Sequence, residues 1–269
     1  MKKKFLTAML VLCIVCILIF SVACDNNDDA TIPVESIVLE KTEITLENGE
    51  EYELKFTVTP ANGTLEFTFS EDLLEYSVVS DGVVKIKTLG SGSGKFRISA
   101  KSDSSIYAEC NINVPLPQGY SQYSNKSYGL KFAYPSNWQK VSVQNTTVAY
   151  LNQIDNSSNM NMNLIVENKS DLFFTVTADY YKNLLLNMFE TLGYTVKFTK
   201  CEMIKYDNDT AVRIIMDYSL VTPFGTSIIH QEQFIKNSSS KTCTLTLTFT
   251  NTGIDNDLVN TILTEFVTW

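Results

Sequence analysis

Apolar and polar residues alternate with a period of two through most of the chain beyond residue 34. This alternation is typical of strands that bury one of their two faces. The clearest case is residues 242–250, where one cysteine, two leucines and one phenylalanine alternate with five threonines. Further strands are predicted at residues 52–58, 130–133, 148–152, 160–166, 196–206, 211–220 and 227–235. The pattern therefore predicts a protein built mainly of β-structure.

Two segments have the spacing of amphipathic helices instead. The first is predicted at residues 178–192, with Thr177 as its N-cap and Gly193 as the residue that ends it. The second begins at Asp255, which is placed to cap it. The predicted apolar face of the first helix consists of Tyr181, Leu184, Leu185, Met188 and Leu192. The predicted apolar face of the second consists of Leu258, Val259, Ile262 and Phe266.

The first 24 residues follow a different pattern. Three lysines precede an apolar run at residues 5–20, and the sequence Ser-Val-Ala-Cys follows this run. The segment resembles a bacterial lipoprotein signal peptide that spans residues 1–23. This resemblance implies that Cys24 is lipidated and that residues 24–33 form a tether. An uncleaved anchor helix is the alternative, and both interpretations place the rest of the chain outside the cytoplasmic membrane. The expected location is the outer face of that membrane or the cell surface.

Two prolines and a glycine at residues 115–119 form a linker between two parts of the chain. Residues 34–114 contain many short strands separated by turn residues, which predicts an all-β sandwich. Within this part, SIVLEKTEITLENGE, TVTPANGT and the Asp-Gly-Val turn at residues 81–83 resemble group 2 bacterial immunoglobulin-like domains. The resemblance implies a stalk or an adhesion module, and it supplies no catalytic residue.

Residues 120–269 contain the longer strands and both helices, which predicts an α+β domain with a mostly antiparallel sheet and helices packed on it. The opening YSNKSYGLKFAYPSNWQKV and the order of the later elements resemble PsbP-like domains. That family is known for an accessory subunit of the photosynthetic water-splitting complex. Its metal-related roles do not carry over, because no matching set of ligands is present in this sequence. Each part of the chain has its own periodic core, so we expect the two parts to fold independently.

Net charge and histidine content narrow the possible functions. The chain has 21 Lys and Arg residues against 30 Asp and Glu residues, and a net charge of −9 argues against nucleic-acid binding. Its single histidine, His230, excludes most histidine-based metal sites and catalytic triads. His230 is expected to be an exposed strand residue rather than a catalytic one.

Other chemically suggestive residues have simpler structural interpretations. The Gly-Ser run at residues 90–95 lacks the spacing of a phosphate-binding loop and is predicted to be a turn. Cys201 and Cys243 are expected to be free, buried thiols. Two pairs of acids are expected to form a turn and a helix cap rather than a calcium site. These acids are Asp207, Asp209, Asp255 and Asp257.

A group of aromatic residues near residue 130 could bind a sugar. Such residues could form a platform on which a sugar stacks. Tyr134 and Trp138 lie in the PsbP-like motif and are expected in the core, whereas Tyr120 and Tyr123 are expected to be more exposed.

The sequence as a whole predicts a lipid-anchored extracytoplasmic protein in which an immunoglobulin-like stalk carries a PsbP-like head. We expect a non-catalytic binding, adhesion or accessory role, with no catalytic, cofactor-binding or metal-binding residue and no cofactor. The expected partners are the membrane, through the lipid on Cys24, and a protein or cell-envelope ligand. A cell-envelope hydrolase and a solute-binding lipoprotein are the alternatives. The hydrolase predicts a cleft with convergent carboxylates, and a binding protein predicts an exposed apolar or aromatic patch.

Overall fold

The computed structural model describes residues 33–151, 160–169, 177–206, 209–223 and 225–269. The predicted signal peptide, Cys24 and the tether up to residue 32 lie outside the described residues. Within those ranges the chain is mostly β-sheet with two helices. Neither of these helices is long and apolar enough to cross a membrane.

From residue 33 to the linker, the chain forms eight strands in two four-stranded sheets. In chain order they are β1 (Ser36–Leu39), β2 (Glu43–Thr45), β3 (Glu51–Thr59), β4 (Leu65–Phe69), β5 (Leu74–Ser80), β6 (Val83–Thr88), β7 (Gly92–Ala100) and β8 (Tyr107–Val114). The first sheet has the order β1-β3-β6-β5 and the second the order β2-β8-β7-β4. The strand pairs are antiparallel, except that β2 runs parallel to β8.

The two sheets share one hydrophobic core. Successive side chains of a strand point to opposite faces, so each strand contributes every second residue to this core. Leu54 and Ile86 of the first sheet are fully buried, and so are Phe96 and Ile98 of the second. The period-two alternation in the sequence therefore corresponds to the inner and outer faces of the two sheets.

Beyond the linker, the described residues form ten further strands and two helices. They are β9 (Tyr120–Asn125), β10 (Leu130–Pro135), β11 (Gln139–Val141), β12 (Val148–Leu151), β13 (Met160–Asn168), α1 (Ala178–Thr191), β14 (Val196–Tyr206), β15 (Asp209–Thr222), β16 (Gly225–Asn237), β17 (Lys241–Thr250), α2 (Asn256–Thr264) and β18 (Val267–Thr268). Seven strands form an antiparallel sheet in the order β11-β12-β13-β17-β16-β15-β14, and three form a smaller sheet in the order β18-β10-β9. Each predicted strand is present in the described residues, although residue 152 at the end of one of them lies outside those residues. Several strands, among them β15 and β16, extend beyond their predicted ends.

The seven-stranded sheet is covered on both faces. Residues paired across antiparallel strands project from the same face, and on one face Phe234 and Leu245 are buried in a core with Ile262 of α2 and Phe132 of β10. On the other face, α1 packs through Phe189 against residues of β15 and β16. The larger sheet therefore lies between helix α1 and a layer made of α2 and the smaller sheet.

Helix α2 agrees with its prediction. The N–H of Leu258 donates to Asp255 Oδ1 at 3.0 Å, so Asp255 caps the helix as expected. The predicted apolar residues of this helix and the residues just after it are buried, namely Leu258, Val259, Ile262 and Phe266.

Helix α1 agrees with its predicted ends but not with its predicted buried face. Thr177 caps the helix, and Gly193 follows it with a positive φ of 77°. The residues packed on the sheet are Tyr181, Leu185 and Phe189, whereas Leu184, Met188 and Leu192 remain exposed. The predicted apolar face combines two rows of residues that point in different directions from the helix axis. The sheet can therefore cover only one of the two rows.

Candidate functional site

One group of ionisable side chains lies on strands β15 and β16. His230 and Asp217 are directly opposite each other in the antiparallel register of these strands. Their side chains are 2.7 Å apart, measured from Nδ1 to Oδ1, and each is about one-third exposed or less. His230 is a strand residue as expected, but it is only partly exposed, because the strand register places the Asp217 carboxylate against the ring.

A buried carboxylate follows two residues later on the same face of β16. Glu232 has no solvent-exposed surface, and its Oε1 accepts a hydrogen bond from Arg213 Nε at 2.5 Å. Its Oε2 is also buried and has no hydrogen-bond partner among the described residues. Burial raises the pKa of Glu232, although the Arg213 guanidinium acts in the opposite direction. The group can therefore hold a proton more tightly than an ordinary glutamate.

These four side chains can orient an imidazole and retain a proton, but their geometry does not form a metal site. Across the described part of the chain, no group of three or more His, Cys, Asp or Glu side chains is arranged to hold a metal ion. Asp255 caps α2 and Asp257 lies in its first turn. Asp207 lies outside the described residues, as does the side chain of Asp209. The structure thus brings together Asp217 and His230, although no sequence pattern pairs them.

The cysteines of the second part of the chain are free. Cys243 is fully buried in the core, and Cys201 is partly buried. Burial raises the pKa of Cys243 to about 12 and also raises that of Cys201, whose Sγ donates to the carbonyl of Ala178. Both thiols are therefore protonated at neutral pH and poorly suited to act as nucleophiles.

The aromatic residues near residue 130 belong to the core rather than to an exposed platform. Trp138 is buried, and Tyr134 stacks on Tyr150 with ring centroids 4.0 Å apart. Tyr123 is partly buried and stacks on Phe132 at 5.0 Å. Tyr120 is also partly buried against the same core. Tyr134 and Tyr123 therefore each have one ring face covered by another aromatic ring.

The turn predicted at residues 90–95 is wrong for residues 92–95, which begin strand β7, and only Gly90 and Ser91 form a loop. This loop joins the two parts of the chain, a role that nothing in the sequence indicates. Ser91 is fully buried, and both its N–H and its Oγ donate to the Glu265 carboxylate, at 2.8 and 3.0 Å. Asn48 Nδ2 donates to the same carboxylate at 2.8 Å. We call Asn48, Ser91, Lys131 and Glu265 the junction cluster. No local sequence signal identifies it, since its members are far apart in the chain.

Lys131 completes the junction cluster from strand β10. Its Nζ donates to the carbonyl oxygen of Ser91 at 2.8 Å, and Gln122 Nε2 donates to the same oxygen at 2.7 Å. Burial lowers the pKa of Lys131, while the negative charges of Asp72 and Glu265 partly oppose this effect. A buried lysine and a buried glutamate thus hold the loop at Ser91 between the two parts of the chain.

Helix α1 presents an apolar row to the outside. Tyr180, Leu184, Met188 and Leu192 are four residues apart and are 53%, 53%, 46% and 59% exposed. Residues at this spacing lie along one side of a helix. We call these four residues the α1 row. An exposed apolar row of this kind is typical of a surface that contacts another molecule.

Comparison with known proteins identifies the second part of the chain. Residues 118–248 match the family model of PsbP. This part of the chain is a PsbP-like domain. The prediction made from the Tyr-Pro-Ser-Asn-Trp motif and the order of elements is therefore confirmed. PsbP-family proteins are in general non-enzymatic accessory proteins.

One solved structure is similar to part of this chain. The solution structure of cyanobacterial PsbP (CyanoP) from Synechocystis sp. PCC 6803 is similar to this chain with a TM-score of 0.47 and 18% sequence identity. The similarity covers 57% of this chain and 94% of that one. Comparison with curated protein sequences gives no match.

Proposed function

We propose that the protein is a lipid-anchored, extracytoplasmic accessory protein whose PsbP-like domain binds a partner without catalysing a reaction. The observation that carries this proposal is the PsbP match of residues 118–248, because members of that family are in general non-enzymatic. The exposed α1 row supports a binding role, because removing an apolar surface from water lowers the free energy of the complex.

The remaining parts of the proposal concern how the PsbP-like domain is presented. Cys24 is the proposed lipid attachment site, on the strength of the lysines, the apolar run and the small residues before it. Residues 34–114 are the proposed immunoglobulin-like stalk, which their two sheets around one core support. The junction cluster would hold the head in a fixed orientation on this stalk.

The lipid anchor can be tested with the wild-type chain and the Cys24→Ala variant. Cells are labelled with an alkyne-modified fatty acid, and the membrane fraction is analysed by intact mass. We expect label and membrane association in the wild type only. A native chain that still begins at Met1 would instead establish the uncleaved anchor helix.

The accessory role can be tested by sedimentation of gently solubilised membranes. We expect the wild-type protein in an assembly larger than two copies of the 30.2 kDa chain. Migration as a free chain under all mild conditions would contradict this role.

The hydrolase alternative is favoured by one observation, the His230–Asp217 pair beside the buried Glu232. Hydrolysis of an envelope substrate by the wild type, lost in His230→Ala, would establish that alternative.

A further inference from the structure

The α1 row is an unusual surface because its apolar residues have no covering element among the described residues. The row runs the length of the helix, and all four side chains are about half exposed. Helix α1 contains three charged residues, Asp179, Lys182 and Glu190, and none belongs to the row. Lys182 instead lies near the ring of Phe198 on β14, with its Nζ 5.9 Å from the ring centroid.

Most of the exposed residues beside the row are uncharged. Four exposed residues each precede a row residue by one position: Asn183, Asn187 and Thr191 are neutral, and Asp179, beside Tyr180, is the exception. The chain carries a net charge of −9, so two copies repel each other overall, and a contact surface adds further repulsion where like charges meet. In an antiparallel contact of two α1 helices the two Asp179 residues lie at opposite ends of the row, about 21 Å apart along the axis at a rise of 1.5 Å per residue, so only neutral residues border the centre of the contact.

The spacing of the row is also self-complementary. Two copies of the helix in antiparallel orientation place Tyr180 against Leu192 and Leu184 against Met188, with a two-fold axis at the centre of the row. A two-fold interface requires this reciprocal arrangement, in which residue i contacts residue j and residue j contacts residue i.

We propose that the α1 row is a docking surface for a second copy of this chain, which binds through an antiparallel contact between the two α1 helices. The four half-exposed side chains offer on the order of 400 Å² per copy. Stable interfaces bury about 800 Å² per partner. The dimer is therefore weak, and it forms at high local concentration.

Cysteine cross-linking tests both the contact and its direction. The processed full chain is isolated from its membrane with Tyr180→Cys in one copy and Leu192→Cys in the other, and a short bis-maleimide is added. We expect a cross-linked dimer well above the background from the chain with native cysteines only. Tyr180→Cys alone should give background yield, because antiparallel helices place the two positions about 18 Å apart at a rise of 1.5 Å per residue.

A charged substitution in the row tests its contribution to binding. Adding Leu184→Glu to the cross-linking pair should reduce the dimer yield about tenfold, because a charge is then buried at the centre of the contact. Val221→Glu is the matched control, since Val221 is 76% exposed on β15 and lies outside the row. Circular dichroism should show unchanged secondary structure in both variants, because both positions are exposed.

Four outcomes would overturn the proposal. They are a Tyr180–Leu192 yield at background, an equal yield from Tyr180→Cys alone, an unchanged yield in Leu184→Glu, and cross-linking to a different protein instead of a dimer. The second outcome would indicate a parallel contact, and the last would assign the row to another partner.

Discussion

Replacing Glu265 by alanine should destabilise both parts of the chain at once. The Glu265 carboxylate is 2% exposed and accepts hydrogen bonds from Ser91 N, Ser91 Oγ and Asn48 Nδ2. All three donors belong to the first part of the chain, whereas Glu265 follows helix α2 of the PsbP-like domain. The variant would leave the N–H of Ser91 without its acceptor, whereas Ser91 Oγ and Asn48 Nδ2 would keep their contacts with the carbonyl oxygens of Pro115 and Thr264. It would also remove the negative charge near the buried Lys131.

The expected loss follows from the number and type of the contacts. A hydrogen bond to a charged group contributes about 1.5–3 kcal/mol, but contacts in one cluster do not add fully. Removing one partner from a buried ionic cluster costs about 3–5 kcal/mol, because the remaining groups stay buried and unpaired. We therefore expect Glu265→Ala to lower the free energy of unfolding by about 3–5 kcal/mol, and Glu265→Gln by less.

Urea unfolding of the full chain at pH 7 provides the measurement. Glu190→Ala is a suitable control, because Glu190 is exposed on α1 and its loss should change stability by less than about 0.5 kcal/mol. The sequence predicts two parts that fold independently, but the junction cluster couples them. We therefore expect one unfolding transition in the wild type and two separate transitions in Glu265→Ala. A Glu265→Ala loss below about 1 kcal/mol with a single transition would refute the role assigned to the junction cluster.

Three further predictions concern the PsbP-like domain. The pKa of Glu232 is raised in the folded state, so the folded protein holds this proton more tightly than the unfolded chain does. The stability of the wild type should therefore fall relative to that of Glu232→Gln as the pH rises from below 4.5 through the folded pKa. Urea unfolding across this pH range measures the difference, and parallel stability curves for the two proteins would contradict the prediction. His230→Ala should cost about 0–1 kcal/mol, since its partner Asp217 is also partly exposed, and a thermal melt showing a much larger loss would indicate a buried network. Phe189→Ala should cost about 3–5 kcal/mol in the same assay, because Phe189 is the buried residue of α1, and a loss below about 1 kcal/mol would show that α1 is not anchored there.

The sequence determined most of the local structure. The alternation at residues 242–250, the Thr177 and Asp255 caps and the Gly193 stop each reflect interactions among residues close together in the chain. Such signals survive in one sequence because strand periodicity and capping depend on local geometry. The PsbP-like character of the second part could also be predicted, since a short motif and the order of elements carry it.

Only the tertiary structure decided which residues meet. The register of β15 and β16 places Asp217 against His230, and the sheet beneath α1 covers the row of Phe189 while leaving the row of Leu184 exposed. Ser91 lies in a loop with ordinary turn residues, and it becomes buried because Glu265, 174 positions later, approaches it. Pairing and burial depend on distances between elements that are remote in the chain, and the periodicity of each element contains no information about its neighbours.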